Sequence, residues 1–172
     1  MKFVFFAIGI IALIALGIIA LVAEYTFDSE CGNYLKLAGD APTVEKADEF
    51  LGYAIGYIER ERLTTGNSGV IFRSYPTNDL AIWYGQIKGA KQTTESIIDR
   101  TKSDSASVSQ LERDNALMKI REVVLDQDEK GTSVTHPDWI IFYPSQVLYW
   151  FVFWIALIAV GICVIAFIVG YN

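Results

Sequence analysis

The stretch Val147–Val169 has the sequence VLYWFVFWIALIAVGICVIAFIV and contains no charged residue. A helix of about 20 apolar residues crosses the hydrocarbon core of a bilayer, so this stretch predicts a transmembrane helix. A second uncharged run, Phe3–Ala23, lies near the start of the chain. The sequence therefore predicts three parts: a transmembrane helix over residues 1–23, a soluble domain over 24–146, and a C-terminal transmembrane helix over 147–172.

The charged residues are concentrated in the middle part. All 20 acidic residues lie between Glu24 and Asp138, and of the 14 basic residues only Lys2 lies outside that range. Thirteen basic and 20 acidic residues give the middle part a net charge of −7. Nucleic-acid binding depends on Lys and Arg side chains that neutralise phosphates, so we expect no nucleic-acid partner.

The residues that flank the first apolar run predict the topology. Lys2 and the terminal amine precede the run, whereas Glu24, Asp28 and Glu30 follow it. The positive-inside rule places the basic flank in the cytoplasm. The run is longer than the ~7–15 apolar residues of a cleaved signal peptide, which predicts an uncleaved signal anchor. We therefore expect an integral protein of the cytoplasmic (plasma) membrane. Both of its termini should be cytoplasmic and its soluble domain extracytoplasmic.

Hydrophobic periodicity predicts that the fold is mainly α, with a bundle of three to four helices between the spans. The first span is expected to continue as a helix over Glu24–Ala38. Thr43 is then a predicted N-cap, and apolar residues recur at helical spacing from there to Ile58. A second amphipathic helix is expected to follow the turn Tyr75–Asp79.

The third soluble helix is expected to start at a capping box, Ser107–Gln110, and to end near Asp128. Residues 132–146 are then expected to form a linker that returns to the membrane. A short strand pair between Val70–Arg73 and Ile140–Tyr143 is a further expectation.

The apolar faces of these three helices are predicted to form the core of the domain. Charged side chains occupy most of the remaining positions, as in helices that bury one face only. The predicted core residues are Leu51, Ile55, Ile58, Trp83, Ile87, Leu117, Ile120 and Val124.

Small residues recur on one face of each span. Such residues let helix backbones approach closely in lipid, where packing drives association. We expect either that the two spans pack on each other or that each packs on another protein. The candidate contact residues are Ala156, Ala159, Cys163, Ala166 and Gly170 in the second span, and Gly9 and Ala12 in the first.

Gly85 and Gly89 form a second candidate contact, on the second soluble helix. They lie four residues apart and project opposite its predicted apolar face. Each glycine inside a helix costs ~1 kcal/mol relative to alanine. The pair indicates either neutral positions or a place where another backbone comes close.

Aromatic residues crowd the outer end of the second span. Trp and Tyr favour the level of the lipid headgroups because their rings are amphipathic. The predicted membrane-interface residues are Trp139, Tyr143, Tyr149, Trp150 and Trp154. For Trp154 and Phe153, a contact with a neighbouring helix, a quinone or a pigment is the alternative.

The residue types that usually carry chemistry are few. Cys31 and Cys163 are expected to be ordinary small apolar side chains, with an intermolecular Cys31–Cys31 disulfide as the alternative. His136, the only histidine, is expected to be an ordinary loop residue rather than a metal or pigment ligand. We therefore expect neither an enzyme nor a bound cofactor or metal.

Three functions are compatible with these features. The first is a non-catalytic accessory or structural subunit of a larger membrane assembly, homo- or hetero-oligomeric, whose partners are the lipid bilayer and other membrane-protein subunits. The second is an extracytoplasmic, sensor-like module that binds a ligand or partner. The third is an enzyme, for which the sequence offers no suitable set of residues. The small-residue faces of the two spans and the pair Gly85 and Gly89 favour the first function, an accessory subunit.

Overall fold

A computed structural model of the chain describes residues 2–70, 75–104, 108–128 and 131–169. The described residues are mainly helical, with one short antiparallel sheet of two strands. The helices are α1 Lys2–Phe27, α2 Asn33–Gly39, α3 Val44–Arg60, α4 Leu80–Ser103, α5 Gln110–Val124 and α6 Gln146–Val169, and the strands are β1 Leu125–Asp128 and β2 Gly131–Val134. Short 3-10 turns lie at Pro76–Asn78 and Ile140–Phe142.

The two apolar runs form helices that are long and apolar enough to cross a membrane. The first does not stop at the end of its apolar run: α1 passes through a π-helical turn, Asp28–Gly32, into α2. The predicted helical continuation of the first span is thus confirmed. Because Cys31, Leu35 and Ala38 are buried, this continuation belongs to the core of the domain.

Side-chain caps fix where α3 and α4 begin. The Thr43 hydroxyl accepts a hydrogen bond from the backbone N–H of Lys46 at 3.3 Å, which confirms the predicted N-cap. Asp79 caps α4 in the same way, accepting from Ala81 and Ile82 at 2.8 and 3.2 Å. Such caps satisfy N–H groups that have no partner inside the helix.

The expected start and end of the third soluble helix were both wrong by a few residues. The hydroxyl of Ser109, not Ser107, accepts from the Glu112 N–H at 3.2 Å; Ser107 lies outside the described residues. At the other end the backbone is already extended at Leu125. The chain therefore leaves the helix at Val124 and enters β1 instead of continuing to Asp128.

The observed strand pair differs from the expected one. Strands β1 and β2 pair in an antiparallel register that sets Leu125 opposite Val134. Residues 140–142 form a 3-10 turn instead of a strand, and residues 71–73 lie outside the described part. The start of the expected linker, residues 132–134, therefore belongs to strand β2. Thr132 and Val134 are β-branched, which suits a pleated surface.

The rest of the expected linker is bound tightly to the domain. The Trp83 indole N–H donates to the Thr135 carbonyl at 2.8 Å, and the Ser68 hydroxyl donates to the Asp138 carbonyl at 2.6 Å. Near the start of α6, the Gln146 amide donates to the Asn67 carbonyl at 3.1 Å. Residues 135–146 are thus a fixed connection rather than a free tether.

The predicted core is confirmed. Six of its eight residues are buried in one cluster, and Ile55 and Leu117 pack against it half-buried. The sequence prediction omitted the residues that the first helix and its continuation add, namely Phe27, Cys31, Leu35 and Ala38. A smaller cluster of Val44, Ile97, Val108 and Ala116 lies beside it.

Candidate functional site

The two apolar helices pack against each other along the predicted small-residue faces. An added Cβ at Gly9 would lie 2.7 Å from Val160 Cγ2 and 3.9 Å from the Ala156 carbonyl oxygen. A side chain at position 9 would clash with Val160 unless that side chain moved, so glycine lets the two helices pack closely here. Ala156 is only 8% exposed, and Ala12 in the first helix is half-buried.

This packing covers some of the small residues of α6 and leaves others exposed. Ala156 is buried, Cys163 and Ala166 are half-buried, and Ala159 is exposed. Gly170 lies outside the described residues. The helix pair therefore uses most of the predicted face within the chain itself and leaves Ala159 uncovered.

A polar contact joins the same two helices. The Tyr149 hydroxyl donates a hydrogen bond to the Leu16 carbonyl at 2.8 Å. The Tyr149 ring also stacks on Phe142, with ring centroids 4.0 Å apart and an interplanar angle of 18°. Tyr149 thus links α1, α6 and the turn that precedes α6.

The other predicted membrane-interface residues fall into two groups. Trp150 and Trp154 lie on α6 with ring centroids 6.1 Å apart, and Trp154, like Phe153, is exposed. Tyr143 instead faces the domain, where its hydroxyl donates to the Thr65 carbonyl at 3.0 Å. Trp139 lies beside the turn and is half-buried.

Gly85 and Gly89 line a groove between α4 and α5. An added Cβ at either position would meet no atom within 4 Å, so the two glycines keep the groove open and are not needed for close packing within the chain. The groove has a volume of about 240 Å³. Its lining residues, which together we call the glycine groove, are Gly85, Gln86, Gly89, Ala90, Thr93, Ala116, Lys119, Ile120 and Val123.

The chemistry of the glycine groove is simple. Its walls are mostly small or apolar, and among its lining residues Lys119 alone is charged. The sequence identified the two glycines but not the opposite wall, since of the α5 residues that line it only Ile120 was singled out, and as a core residue. The spacing of Ala116, Ile120 and Val123 along one side of α5 was the available signal.

A second cavity lies where the domain meets the two apolar helices. Its volume is about 210 Å³. On one side it is lined by the end of α1 and the start of the π-helical turn, and on the other by the segment that leads into α6. We call it the junction cavity, and its lining residues are Glu24, Phe27, Asp28, His136, Trp139, Ile140, Ile141 and Phe142.

The junction cavity combines aromatic rings with carboxylates. Phe27 and His136 meet edge to face at 5.2 Å, and Trp139 and Phe142 lie 5.8 Å apart. Neither Glu24 nor Asp28 forms an ion pair with any residue that the structure describes. In the sequence both acids are signals of topology only, and no pattern indicates the cavity.

The backbone at Trp139 is unusual. Its φ of 62° and ψ of 11° lie in the left-handed region, which bulky side chains rarely adopt. Such a conformation costs on the order of 1–3 kcal/mol and persists only where the surroundings enforce it. Here the hydrogen bonds that hold the neighbouring Asp138, on both its N–H and its carbonyl, fix the turn.

Two further reactive side chains, Cys31 and Tyr57, are buried in the core. Cys31 is 0% exposed, so an intermolecular Cys31–Cys31 disulfide would require the domain to open around it. Burial raises the pKa of Tyr57 to about 12, so its hydroxyl ionises even less readily than that of an ordinary tyrosine. Over residues 2–70, 75–104, 108–128 and 131–169, no group of three or more His, Cys, Asp or Glu side chains is placed to hold a metal ion.

Comparisons with protein-family models, curated proteins and solved structures gave no match to this chain. Three features stand out: the packed apolar helix pair, the glycine groove and the junction cavity.

Proposed function

We propose that this chain is a non-catalytic accessory subunit of a membrane protein assembly. The pair of α1 and α6 anchors it in the bilayer, and the domain of α2–α5 docks onto a partner through the glycine groove. The observation that carries this proposal is the groove itself, where two helical glycines leave an open, mostly apolar furrow on the surface of the domain.

The exposure of the apolar helices supports the membrane anchor. In each of the two helices only 6% of the most apolar window is buried. In water that much uncovered apolar surface would be strongly unfavourable, at roughly 25 cal/mol per Å². Lipid removes the penalty, and α1 and α6 then need only the close packing at Gly9 to stay together.

The occupant we propose for the groove is an apolar helix of the partner that carries one carboxylate. The furrow between α4 and α5 accepts a helix in the way that grooves accept amphipathic helices in other complexes. Gly85 and Gly89 allow its backbone to come close. Lys119 is the charge in the lining, and no acid lies there, so a carboxylate on the incoming helix would pair with it.

Filling the groove should release the partner. The expected result for Gly85→Leu combined with Gly89→Leu is loss of the complex, because two isobutyl groups occupy the furrow. The fold should survive, since neither position has an atom within 4 Å of an added Cβ. Native mass spectrometry after mild detergent extraction from the native membrane measures the stoichiometry.

Gly56→Leu is the matched control. Gly56 is also an exposed helical glycine with nothing within 4 Å of an added Cβ, but it lies on α3, outside the groove. A discrete complex that persists in this control and disappears in the groove variant would support the proposal. If the groove variant keeps the complex at the same stoichiometry, the groove is not the docking surface.

We also propose that both ends of the chain face the cytoplasm and that residues 24–146 face outward, on the evidence of the flanking charges. Ser103, at the exposed end of α4, is the reporter position. A Ser103→Cys variant should react with a membrane-impermeant thiol reagent in intact cells, and Cys31 stays silent because it is buried. Reaction only after lysis would reverse the proposed orientation.

The second candidate function is a sensor-like binding module, and the junction cavity favours it. Mass spectrometry separates the two candidates, because a binding module would appear as a monomer that retains a small ligand. The groove and the cavity share no residue, so each candidate can be tested with variants of its own surface.

A further inference from the structure

We propose that the junction cavity binds the ammonium group of a small amine, of the kind carried by ethanolamine and choline headgroups of lipids. This site is separate from the glycine groove and does not depend on a partner protein. Its evidence is the combination of rings, unpaired carboxylates and position in the fold.

The aromatic lining is the first part of the evidence. Four of the eight lining residues have aromatic rings, namely Phe27, His136, Trp139 and Phe142. The negative face of an aromatic ring attracts cations, and Trp is the strongest partner. Quaternary ammonium groups are recognised by such aromatic cages because they are large, weakly hydrated cations.

The two carboxylates are the second part. Glu24 and Asp28 are one helical turn apart, so they lie on the same side of the helix. Glu30, only two residues further on, pairs with Arg60, but Glu24 and Asp28 make no ion pair with any described residue. No Lys or Arg is among the lining residues, so the cavity has negative charge without an internal counterion.

This chemistry excludes other classes of occupant. A phosphate would be repelled by the two carboxylates, so a bound phospholipid must point its ammonium group into the cavity and its phosphate away. A hard metal ion prefers several oxygen ligands, whereas half of this lining is aromatic. The volume of about 210 Å³ is below the roughly 300–1,000 Å³ of pockets for drug-sized ligands, which suits a headgroup.

The position of the cavity is the third part. Glu24 directly follows the last residue of the first apolar run, Ala23. On the other side, Phe142 stacks on Tyr149 in the first turn of α6. The cavity therefore lies level with the ends of both apolar helices, at the depth that headgroups occupy in a bilayer.

The test is lipid retention by the full chain in native mass spectrometry. The protein is extracted in a mild non-ionic detergent and exposed in turn to phosphatidylethanolamine, phosphatidylcholine and phosphatidylglycerol with the same acyl chains. We expect the two ammonium lipids to be retained about tenfold more strongly than phosphatidylglycerol, which lacks the ammonium group. Equal retention of all three lipids, together with no effect of free choline, would overturn the proposal.

A charge-removing variant localises the binding. Glu24→Gln with Asp28→Asn keeps the side-chain volumes and removes both charges, and it should abolish the preference for ammonium lipids. The matched control, Glu122→Gln with Asp126→Asn, removes the same charge from exposed positions outside the cavity. If both double variants retain the lipids as the native chain does, the cavity is not the site.

Free choline chloride distinguishes the two sources of the ammonium group. If millimolar choline displaces the retained lipid while equal sodium chloride does not, the site recognises the free amine as well. If only the lipids bind, the site is specific for membrane headgroups. Both results support the ammonium site. If neither the ammonium lipids nor choline bind, the proposal is contradicted. The glycine-groove variants should leave every one of these measurements unchanged.

Discussion

Ile87→Ala is expected to lower the free energy of unfolding of the domain by about 2–5 kcal/mol, the range for truncating a large core side chain. Ile87 lies in the middle of α4 and is 1% exposed. It belongs to the main cluster of buried residues, which includes residues from α2, α3 and α5. Removing three methylene-sized groups there loses burial and leaves a cavity that its neighbours cannot fully close.

Ile82→Ala is the matched control, since it is the same substitution in the same helix. Ile82 is 49% exposed, so its truncation should cost far less, within about 0.5 kcal/mol as for most surface changes. Lys88→Ala, at the exposed position next to Ile87, should be similarly mild. Thermal unfolding followed by circular dichroism, together with limited proteolysis, gives the comparison. Equal resistance of the Ile87 and Ile82 variants would contradict the packing of α4.

Helices were the predictable part of this fold, because their signals are local. The Thr43 hydroxyl and the spacing of apolar residues after it lie within one segment, so they define α3 without reference to the rest of the chain. The hairpin was not predictable in this way. The polar run of residues 128–131 suits a helix stop as well as a strand connection, and only the pairing of Leu125 with Val134 decides between them.

The candidate site was predictable to a similar degree. Helical spacing identified the face that contains Gly9 and Ala156, but it could not say what covers that face. The answer depends on how α1 and α6 meet, which is a matter of tertiary structure. The junction cavity could not be predicted from the sequence for the same reason, since Glu24 and Trp139 are far apart in sequence and have no shared pattern.

Ala159 shows most clearly what spacing leaves undecided. Its place in the small-residue series made it a predicted contact, equivalent to Ala156. In the structure it is exposed, whereas Ala156, Cys163 and Ala166 are at least partly covered. Ala159 is therefore open either to lipid or to another protein, and its role can be tested separately from the packing of the two helices.

Ala156→Leu is expected to separate α1 from α6. Ala156 is almost fully covered where α6 packs against Gly9 of α1, so a larger side chain at position 156 has no free space to occupy. Overpacking a contact of this kind typically costs about 1–3 kcal/mol. The single hydrogen bond from Tyr149 to Leu16 is worth about 0.6 kcal/mol by comparison with other membrane helices, so it cannot hold the pair closed. Packing is the main force between helices in lipid, so its loss at this contact should let the two helices move apart.

Spin labels at Gly17→Cys and Gly161→Cys, in a Cys163→Ala background, measure the separation by pulsed electron paramagnetic resonance. Both glycines have open space where a Cβ would lie, so the labels do not disturb the packing. We expect a narrow distance distribution for the native pair and a longer, broader one for Ala156→Leu, because packed helices are about 8–10 Å apart and an inserted side chain widens that gap. Ala159→Leu is the matched control and should keep the native distance. If it separates the helices as far as Ala156→Leu does, the register of α1 against α6 is wrong; if it leaves the distance unchanged but releases a partner, Ala159 is the external contact.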